Sequence, residues 1–352
     1  AYSAIERIMR TKRHLHEEAS LQESLIRNAF HMPVRQRPAI SSSINEWPLM
    51  IGHYLVDQAI LSDDGRTVSW ICTKQSGESE NDANAVGVPS PDLYDGCGGT
   101  AIFLASLSQA FGDRRCADYA LKTMRSIQLR TSPSTSESAF TGGLSQIYPA
   151  LMLRSLGIKS DILTNSALRI MDRLERYVKD ESVRLSKVGK ANRFTYRMDY
   201  LAGASSVIIL YLRIWELLQD DDILIQLSQL GRIVAKTACR LQREENANSD
   251  DSFPAGAGHG LEGISVALWR LYAAVGDTEF ADDAQKIWEK AMAKHKAQPV
   301  RSSRERGKWC RGTVGLLWAQ NEIDRCTACG RRFFDDAGKP FPEFSSVKQL
   351  ID

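Results

Sequence analysis

Five short glycine turns recur along this 352-residue chain at intervals of 46 to 61 residues. They centre on Gly96, Gly142, Gly203, Gly260 and Gly312. The first four are each followed by an apolar run of helical length, at residues 102–107, 147–153, 207–218 and 264–271. A period of this size is typical of arrays of helix pairs, in which an inner helix leaves each turn and an outer helix returns. Glycine suits these turns because it permits close backbone approach and positive φ.

A second repeated pattern marks the return from an inner to an outer helix. Ala110-Phe111-Gly112-Asp113 recurs as Ala274-Val275-Gly276-Asp277. Glycine commonly follows a helix C-terminus, and aspartate commonly caps the next N-terminus. The sequence therefore predicts an all-α fold of repeated helix pairs whose inner helices converge on a common centre.

Composition excludes several classes of protein. The chain is 43% hydrophobic and 25% charged, and its formal net charge of +2 gives no indication of a nucleic-acid partner. Its apolar stretches are shorter than the ~20 residues that a membrane span needs. The charged amino terminus lacks a signal-peptide core, which predicts a cytoplasmic location. Seven cysteines in a chain of this length do not resemble a disulfide framework.

The chain divides into three predicted regions. Residues 1–45 are polar and helical in pattern, which predicts a connector from a preceding domain. Residues 46–318 hold the repeats. Residues 319–352 break the pattern and contain Cys326-Thr327-Ala328-Cys329-Gly330, which predicts an atypical tail. The first residue, Ala1, and the last, Asp352, predict a fragment of a longer protein.

The turns resemble those of one family. They read Leu93-Tyr94-Asp95-Gly96-Cys97-Gly98-Gly99, Phe140-Thr141-Gly142-Gly143-Leu144, Asp199-Tyr200-Leu201-Ala202-Gly203, Gly258-His259-Gly260-Leu261-Glu262-Gly263-Ile264 and Trp309-Cys310-Arg311-Gly312. In order, spacing and residue type they are similar to the lanthionine synthetase C-like proteins, and within them to the cyclase half of class II lanthipeptide synthetases. Residues 22–30 and 51–71 also resemble the connector that precedes this half. The resemblance implies an α/α toroid.

The resemblance also implies a reaction and its participants. Family members add a cysteine thiol of a lanthipeptide precursor peptide to a dehydroalanine or dehydrobutyrine, which closes a thioether ring. Zn²⁺ would deprotonate the thiol and hold it near the alkene. A group that titrates near neutrality would protonate the α-carbon, and histidine suits this role. An N-terminal dehydratase domain of the same parent chain would supply the dehydrated residues.

Four residues match functional positions of the family. Cys310 matches a zinc ligand, and His259 matches the acid/base histidine. Asp199 matches an acidic residue that orients this histidine, and Arg306 matches an arginine that could stabilise enolate charge.

Each of the four has a structural interpretation as well. A histidine at the start of a helix often has only a structural role. Asp199 precedes an inner helix and could be its N-cap. Arg306 lies in the basic stretch 301–308 and could be a solvated charge, and Cys310 could be an inert packed thiol.

The chain departs from the family pattern in three respects. The Cys-His pair that supplies the other two zinc ligands belongs one repeat after Cys310, beyond Asp352, and no Cys-His dipeptide occurs in the chain. Cys326 and Cys329 form a Cys-x-x-Cys-Gly pattern that could compensate as ligands, or could be a tail pair without a role. Arg311 would also put a cation beside the metal. Ser145 and Ser206 replace glycines, which suggests a looser scaffold.

Two function hypotheses follow. The first is a zinc-dependent lanthipeptide cyclase domain. The alternative is a catalytically degenerate α/α toroid that binds a precursor peptide without chemistry, for which the missing ligands argue. A toroid glycosidase needs paired carboxylates, and the turns carry none in a suitable place.

Overall fold

A computed structural model of the chain describes residues 24, 46–75, 84–130, 138–161, 163, 170–186, 198–244, 254–297 and 308–329. The predicted connector, residues 1–45, lies outside them except for Ser24. The described residues are mostly helical, so the all-α prediction of repeated helix pairs is confirmed. None of these described helices combines the length and the apolar character needed to cross a membrane.

The described part of the chain contains ten α-helices and four short strands. The helices are α1 Trp47–Asp57, α2 Cys97–Phe111, α3 Arg114–Arg130, α4 Ile147–Ser155, α5 Ile170–Ser186, α6 Ala204–Leu218, α7 Asp221–Glu244, α8 Leu261–Val275, α9 Thr278–Ala297 and α10 Thr313–Cys329. The strands form two antiparallel pairs, β1 Ile60–Leu61 with β2 Val68–Ser69 and β3 Cys72–Gln75 with β4 Asn84–Gly87. A 3-10 helix, Gly143–Gln146, precedes α4.

The chain forms two compact units. The first comprises Ala1–Ser136 and Ser145–Ala167, and the second comprises Glu137–Leu144 and Leu168–Asp352. The core of the first unit includes Leu104 of α2, Met124 of α3 and Leu153 of α4, all fully buried. Every predicted site residue that the structure describes belongs to the second unit.

Inner and outer helices of the second unit are buried in different patterns. Residues 204–212 of inner helix α6 are buried without interruption, so this stretch of the helix is covered on all sides. Outer helix α7 buries Ile223, Leu227, Leu230 and Val234, which lie three and four residues apart. This spacing places one apolar stripe against the inner helices and leaves the opposite face to solvent. Hydrophobic burial therefore fixes which helix of each pair is inner.

The Gly-Asp pattern has its predicted role at two returns. Gly112 and Gly276 end α2 and α8 in the left-handed conformation, with φ of 69° and 77°. The carboxylates that follow accept hydrogen bonds from backbone N–H groups of the next helix, at 3.0 Å for Asp113 and 3.1 Å for Asp277. Gln219 ends α6 at φ 53°, the same conformation without a glycine.

The entrance glycines have a different role from the one predicted. Gly96, Gly203 and Gly260 are helix N-caps with φ of −114°, −119° and −153°, so the expectation of positive φ at these positions is wrong. Close approach is the reason for glycine at Gly260, because a Cβ there would lie 2.3 Å from the carbonyl oxygen of Ala255. Glycine is therefore needed at Gly260 because the backbone of the turn passes too close for a side chain.

Helix α10 continues past residue 318, where the sequence analysis placed the end of the repeats. Ala319, Ile323 and Cys326 form a buried stripe at helical spacing, and this burial extends the helix to Cys329. Residues 330–352 lie outside the described residues.

Replacing Gln219 by glycine should stabilise the second unit. The left-handed conformation is strained for a residue with a Cβ, and glycine at this position should raise the free energy of unfolding by roughly 0.5–1 kcal/mol. Urea unfolding of Gln219→Gly and the wild type measures the difference. Gln219→Ala is the control, since it keeps the strain and should give no gain. An equal gain for alanine and glycine would contradict the explanation.

Candidate functional site

Four glycine turns of the second unit are joined in series by hydrogen bonds. The Oγ of Ser138, in the second turn, donates to the carbonyl oxygen of Leu201 in the third turn at 2.8 Å. The Leu201 N–H donates to the Gly258 carbonyl oxygen at 3.2 Å, and the Gly258 N–H donates to the Cys310 carbonyl oxygen at 3.1 Å. We call this series the turn ladder. It brings together the turns that carry Asp199, His259 and Cys310.

Ser206 strengthens the turn ladder. Its Oγ donates to the Gly203 carbonyl oxygen at 2.6 Å and accepts from the Ala139 N–H at 3.1 Å. The expectation that serine at this position loosens the scaffold is therefore wrong, because the hydroxyl links the second turn to the third.

Asp199 and His259 are hydrogen bonded to each other. The distance from His259 Nδ1 to Asp199 Oδ2 is 2.8 Å. The Asp199 side chain is fully buried, whereas the His259 side chain is 24% exposed to solvent. We call these two residues the His259 pair. The predicted proximity of the carboxylate to the histidine is present in the structure.

Asp199 uses its two carboxylate oxygens differently. While Oδ2 contacts His259, Oδ1 accepts a hydrogen bond from the Ala202 N–H at 2.6 Å. The N-cap of α6 is Gly203 and has no side-chain cap, so the N-cap interpretation of Asp199 is wrong. The Asp199 Oδ1 instead closes the turn that precedes the helix. Burial raises the pKa of Asp199, and the hydrogen bond with His259 opposes this shift.

Cys310 lies in a turn that is closely packed against the fourth turn. A Cβ at Gly258 would lie 2.9 Å from the Cys310 Cβ, and a Cβ at Gly256 would lie 2.5 Å from the Cys310 carbonyl oxygen. Gly256 also has a φ of 105°, which disfavours any other residue. Cys310 is half-buried, and the neighbouring Arg311 is exposed.

Aromatic rings pack beside the reactive residues. Tyr200, next to Asp199, stacks on Phe140 with a centroid distance of 5.8 Å. It also makes edge contacts with Trp309 at 6.1 Å and with Trp318 at 5.2 Å. Burial raises the pKa of Tyr200 to about 12, so its hydroxyl stays protonated. Neither a role for Tyr200 nor this aromatic cluster was predicted from the sequence, although aromatic residues follow Asp199 and precede Cys310.

A second pair of a histidine and a carboxylate includes Glu262, which lies three residues after His259. This pair was not predicted from the sequence. Glu262, in the first turn of α8, accepts a hydrogen bond at Oε1 from Nε2 of His295, in the last turn of α9. We call these residues the His295 pair. The hydrogen bond raises the pKa of His295, and burial raises the pKa of Glu262.

The second oxygen of Glu262 is an unsatisfied buried group. Oε2 has no hydrogen-bond partner among the described residues, and the side chain is 0% exposed. An unsatisfied buried acceptor costs about 1–3 kcal/mol. The sequence does contain a signal that Glu262 is unusual. The residues two positions after the other four entrance glycines are Gly98, Leu144, Ser205 and Val314. Only the fourth repeat has a charged residue there.

The described residues do not form a complete metal site. No group of three or more His, Cys, Asp or Glu side chains that could hold a metal ion occurs among them. Burial raises the pKa of Cys326 to about 12, which disfavours the thiolate that zinc binds. Arg306 and the side chain of Cys329 lie outside the described residues. Zinc ligation and the role of Arg306 therefore stay predictions.

Comparisons with known proteins agree with the sequence motifs. The sequence profile of the family described as lanthionine synthetase C-like protein matches residues 87–326. No curated protein matches the chain significantly. Similar solved structures include a nisin cyclase, at 16% identity and a TM-score of 0.34, over 69% of this chain and 78% of that chain.

Two substitutions separate the two contacts of Asp199. Asp199→Asn keeps an oxygen for the Ala202 N–H but presents an uncharged amide to His259, whereas Asp199→Ala removes both contacts. We expect Asn to leave the thermal unfolding midpoint within a few degrees of wild type and Ala to lower it, because losing the turn hydrogen bond from the Ala202 N–H costs about 1 kcal/mol. Circular dichroism measures both midpoints. Equal losses for Asn and Ala would show that the charge of Asp199, rather than its hydrogen bond from the Ala202 N–H, holds this turn.

Proposed function

The chain belongs to the lanthionine synthetase C-like family, and from this premise we propose that it is a cyclase domain for peptides. The proposed substrate is a precursor peptide that carries cysteine and dehydrated serine or threonine residues. The proposed reaction adds each thiol to a dehydroalanine or dehydrobutyrine and forms a lanthionine or methyllanthionine ring.

One observation carries this proposal: the His259 pair lies on turns that are hydrogen bonded to each other and to the turn of Cys310. Thioether formation needs a thiol nucleophile and a proton donor at neighbouring positions. A histidine held by a buried carboxylate is suited to proton transfer near neutral pH. The non-catalytic alternative gives no reason for this hydrogen bond and is not favoured.

The peptide thiolate attacks the β-carbon of the dehydrated residue, a C–S bond forms, and the alkene π electrons move to an enolate. The α-carbon then takes a proton from the His259 imidazolium and the enolate collapses to the amide. The proton lost by the thiol restores the imidazolium, so the net reaction adds S–H across C=C.

The contact of His259 with Asp199 supports different proposed roles for its two ring nitrogens. Nδ1 faces the Asp199 carboxylate at 2.8 Å, and Nε2 is the nitrogen through which we propose the proton passes to the substrate. Asp199 would orient the ring and stabilise its charged form during transfer. Arg306 is proposed to stabilise enolate charge.

Zinc is the proposed cofactor, with Cys310 as one ligand. When bound, zinc would deprotonate the substrate thiol and position it. The described residues do not supply a complete ligand set. Cys326 and Cys329 are the candidate additional ligands, and the burial and raised pKa of Cys326 make Cys329 the favoured one.

Two further proposals concern cellular context. The resemblance to class II synthetases supports an N-terminal dehydratase domain as the source of the substrate. It also supports a cytoplasmic location, where precursor peptides are made. Both proposals are independent of the geometry of the His259 pair.

Replacing His259 by asparagine in the full-length enzyme should slow cyclisation and leave dehydration unchanged. Loss of a general acid costs about 10²–10⁴-fold in rate. Mass spectrometry follows dehydration, and alkylation of unreacted thiols follows ring formation. His53→Asn is the control, because His53 lies in the first unit. Ring formation at the wild-type rate in His259→Asn would overturn the acid/base role.

Elemental analysis after mild chelator washing tests the zinc proposal on this 352-residue chain. The proposal that Cys329 completes the site with Cys310 predicts about one zinc per chain, as one protein site would hold. Cys310→Ala should abolish binding, and Cys116→Ala should not, because Cys116 is a buried core thiol. A zinc-free chain would contradict the proposal for this chain. A zinc-free chain that still binds a precursor peptide would favour the non-catalytic alternative.

A further inference from the structure

The fourth turn is held on both of its flanks by a histidine and a carboxylate. On one flank, His259 contacts Asp199 of the third turn. On the other, Glu262 contacts His295 at the end of the outer helix α9. The two contacts start from residues three positions apart, on either side of the N-cap Gly260, so they bear on the same short segment of backbone.

The His295 pair joins the inner and outer helices of the fourth repeat at the end where the turn lies. Glu262 is in the first turn of α8, and His295 is in the last turn of α9, so their charges also match the dipoles of these helix ends. The Glu262 side chain is fully buried and that of His295 is 17% exposed. The contact is therefore shielded from solvent.

The buried position of the Glu262 carboxylate is not explained by stability alone. Its Oε2 is buried without a partner among the described residues, and the equivalent positions of the other repeats hold glycine, leucine, serine and valine. A buried unsatisfied group in a native fold calls for an explanation other than stability. The fourth repeat is also the one that carries His259.

We propose that Glu262 and His295 are positioning residues that fix the start of α8, so that the His259 ring stays aligned with Asp199. The role of His259 in cyclisation rests on the proposed function, but the alignment of its ring does not. The next residue, Gly263, limits other movements of this segment, since a Cβ there would lie 2.1 Å from the Ala257 carbonyl oxygen and 2.6 Å from the Tyr200 Cβ.

Three variants separate positioning from general stability. His295→Leu removes the donor. His295→Gln keeps an N–H near the position of Nε2 and should rescue the contact. Ser265→Ala is the matched control, because the Ser265 hydroxyl donates to the Ala284 carbonyl oxygen at 2.9 Å in the same interface of α8 and α9, away from the turn.

The first readout is independent of activity. The chain has six histidines, and labelling with ¹⁵N-histidine allows NMR to follow the Nδ1 proton that His259 shares with Asp199. Asp199→Asn assigns this signal. We expect the signal to be lost or broadened in His295→Leu and retained in His295→Gln and Ser265→Ala. An unchanged signal in His295→Leu, or an equal loss in Ser265→Ala, would overturn the proposal.

The second readout is cyclisation of a dehydrated precursor peptide by the full-length enzyme. His295→Leu should lower kcat about tenfold or more with little change in KM, because misalignment affects the chemical step. His295→Gln should recover most of the rate. A wild-type enzyme that forms no rings would refute the proposed function, and the NMR signal would still decide the positioning role. A rate loss in Ser265→Ala equal to that in His295→Leu would refute positioning.

Discussion

The turn ladder is the interaction on which the site depends. Backbone groups of the third, fourth and fifth turns bond directly to one another, through Leu201, Gly258 and Cys310. This requires the turns to approach more closely than side chains allow, since a Cβ at Gly258 would lie 2.9 Å from the Cys310 Cβ. Helix packing brings the turns to one end of the second unit, but these hydrogen bonds set the relative positions of the reactive residues. Side-chain rotamers alone could not set these positions precisely, because a shift of one turn would move the reactive side chain that it carries.

Groups that are costly to bury collect around the turn ladder. Asp199 has a raised pKa because it is desolvated, and Glu262 has an unsatisfied oxygen. Neither is needed to close the apolar core, which the continuous burial of helices such as α6 already supplies. Active sites commonly hold such groups at the expense of stability. Around the fourth turn this expense falls on two carboxylates, Asp199 of the third turn and Glu262 of the fourth, that each bond a histidine. For this reason we interpret both pairs as functional.

The features that could be predicted from the sequence are those that recur along it. The glycine turns, the inner and outer helices and the Gly-Asp returns are local patterns, and the proximity of Asp199 to His259 followed from a resemblance on those turns. His295 could not be found in this way, because it meets Glu262 only after α8 and α9 fold back on each other. Gln219 shows the same limit, since it adopts the glycine conformation through its place in the array. The hydroxyl of Ser206 was misjudged because its partner, Ala139, is distant in sequence.

Equivalent turns with different side chains explain how one scaffold can acquire chemistry. The N-caps Gly96, Gly203 and Gly260 share an extended backbone with ψ between −163° and −166°. The residue before each glycine therefore has the same local backbone geometry. These residues are Asp95, Ala202 and His259. A carboxylate in the third turn, a histidine in the fourth and a thiol in the fifth become neighbours because their turns are consecutive in the turn ladder. The order of the repeats thus carries functional information that no single turn contains.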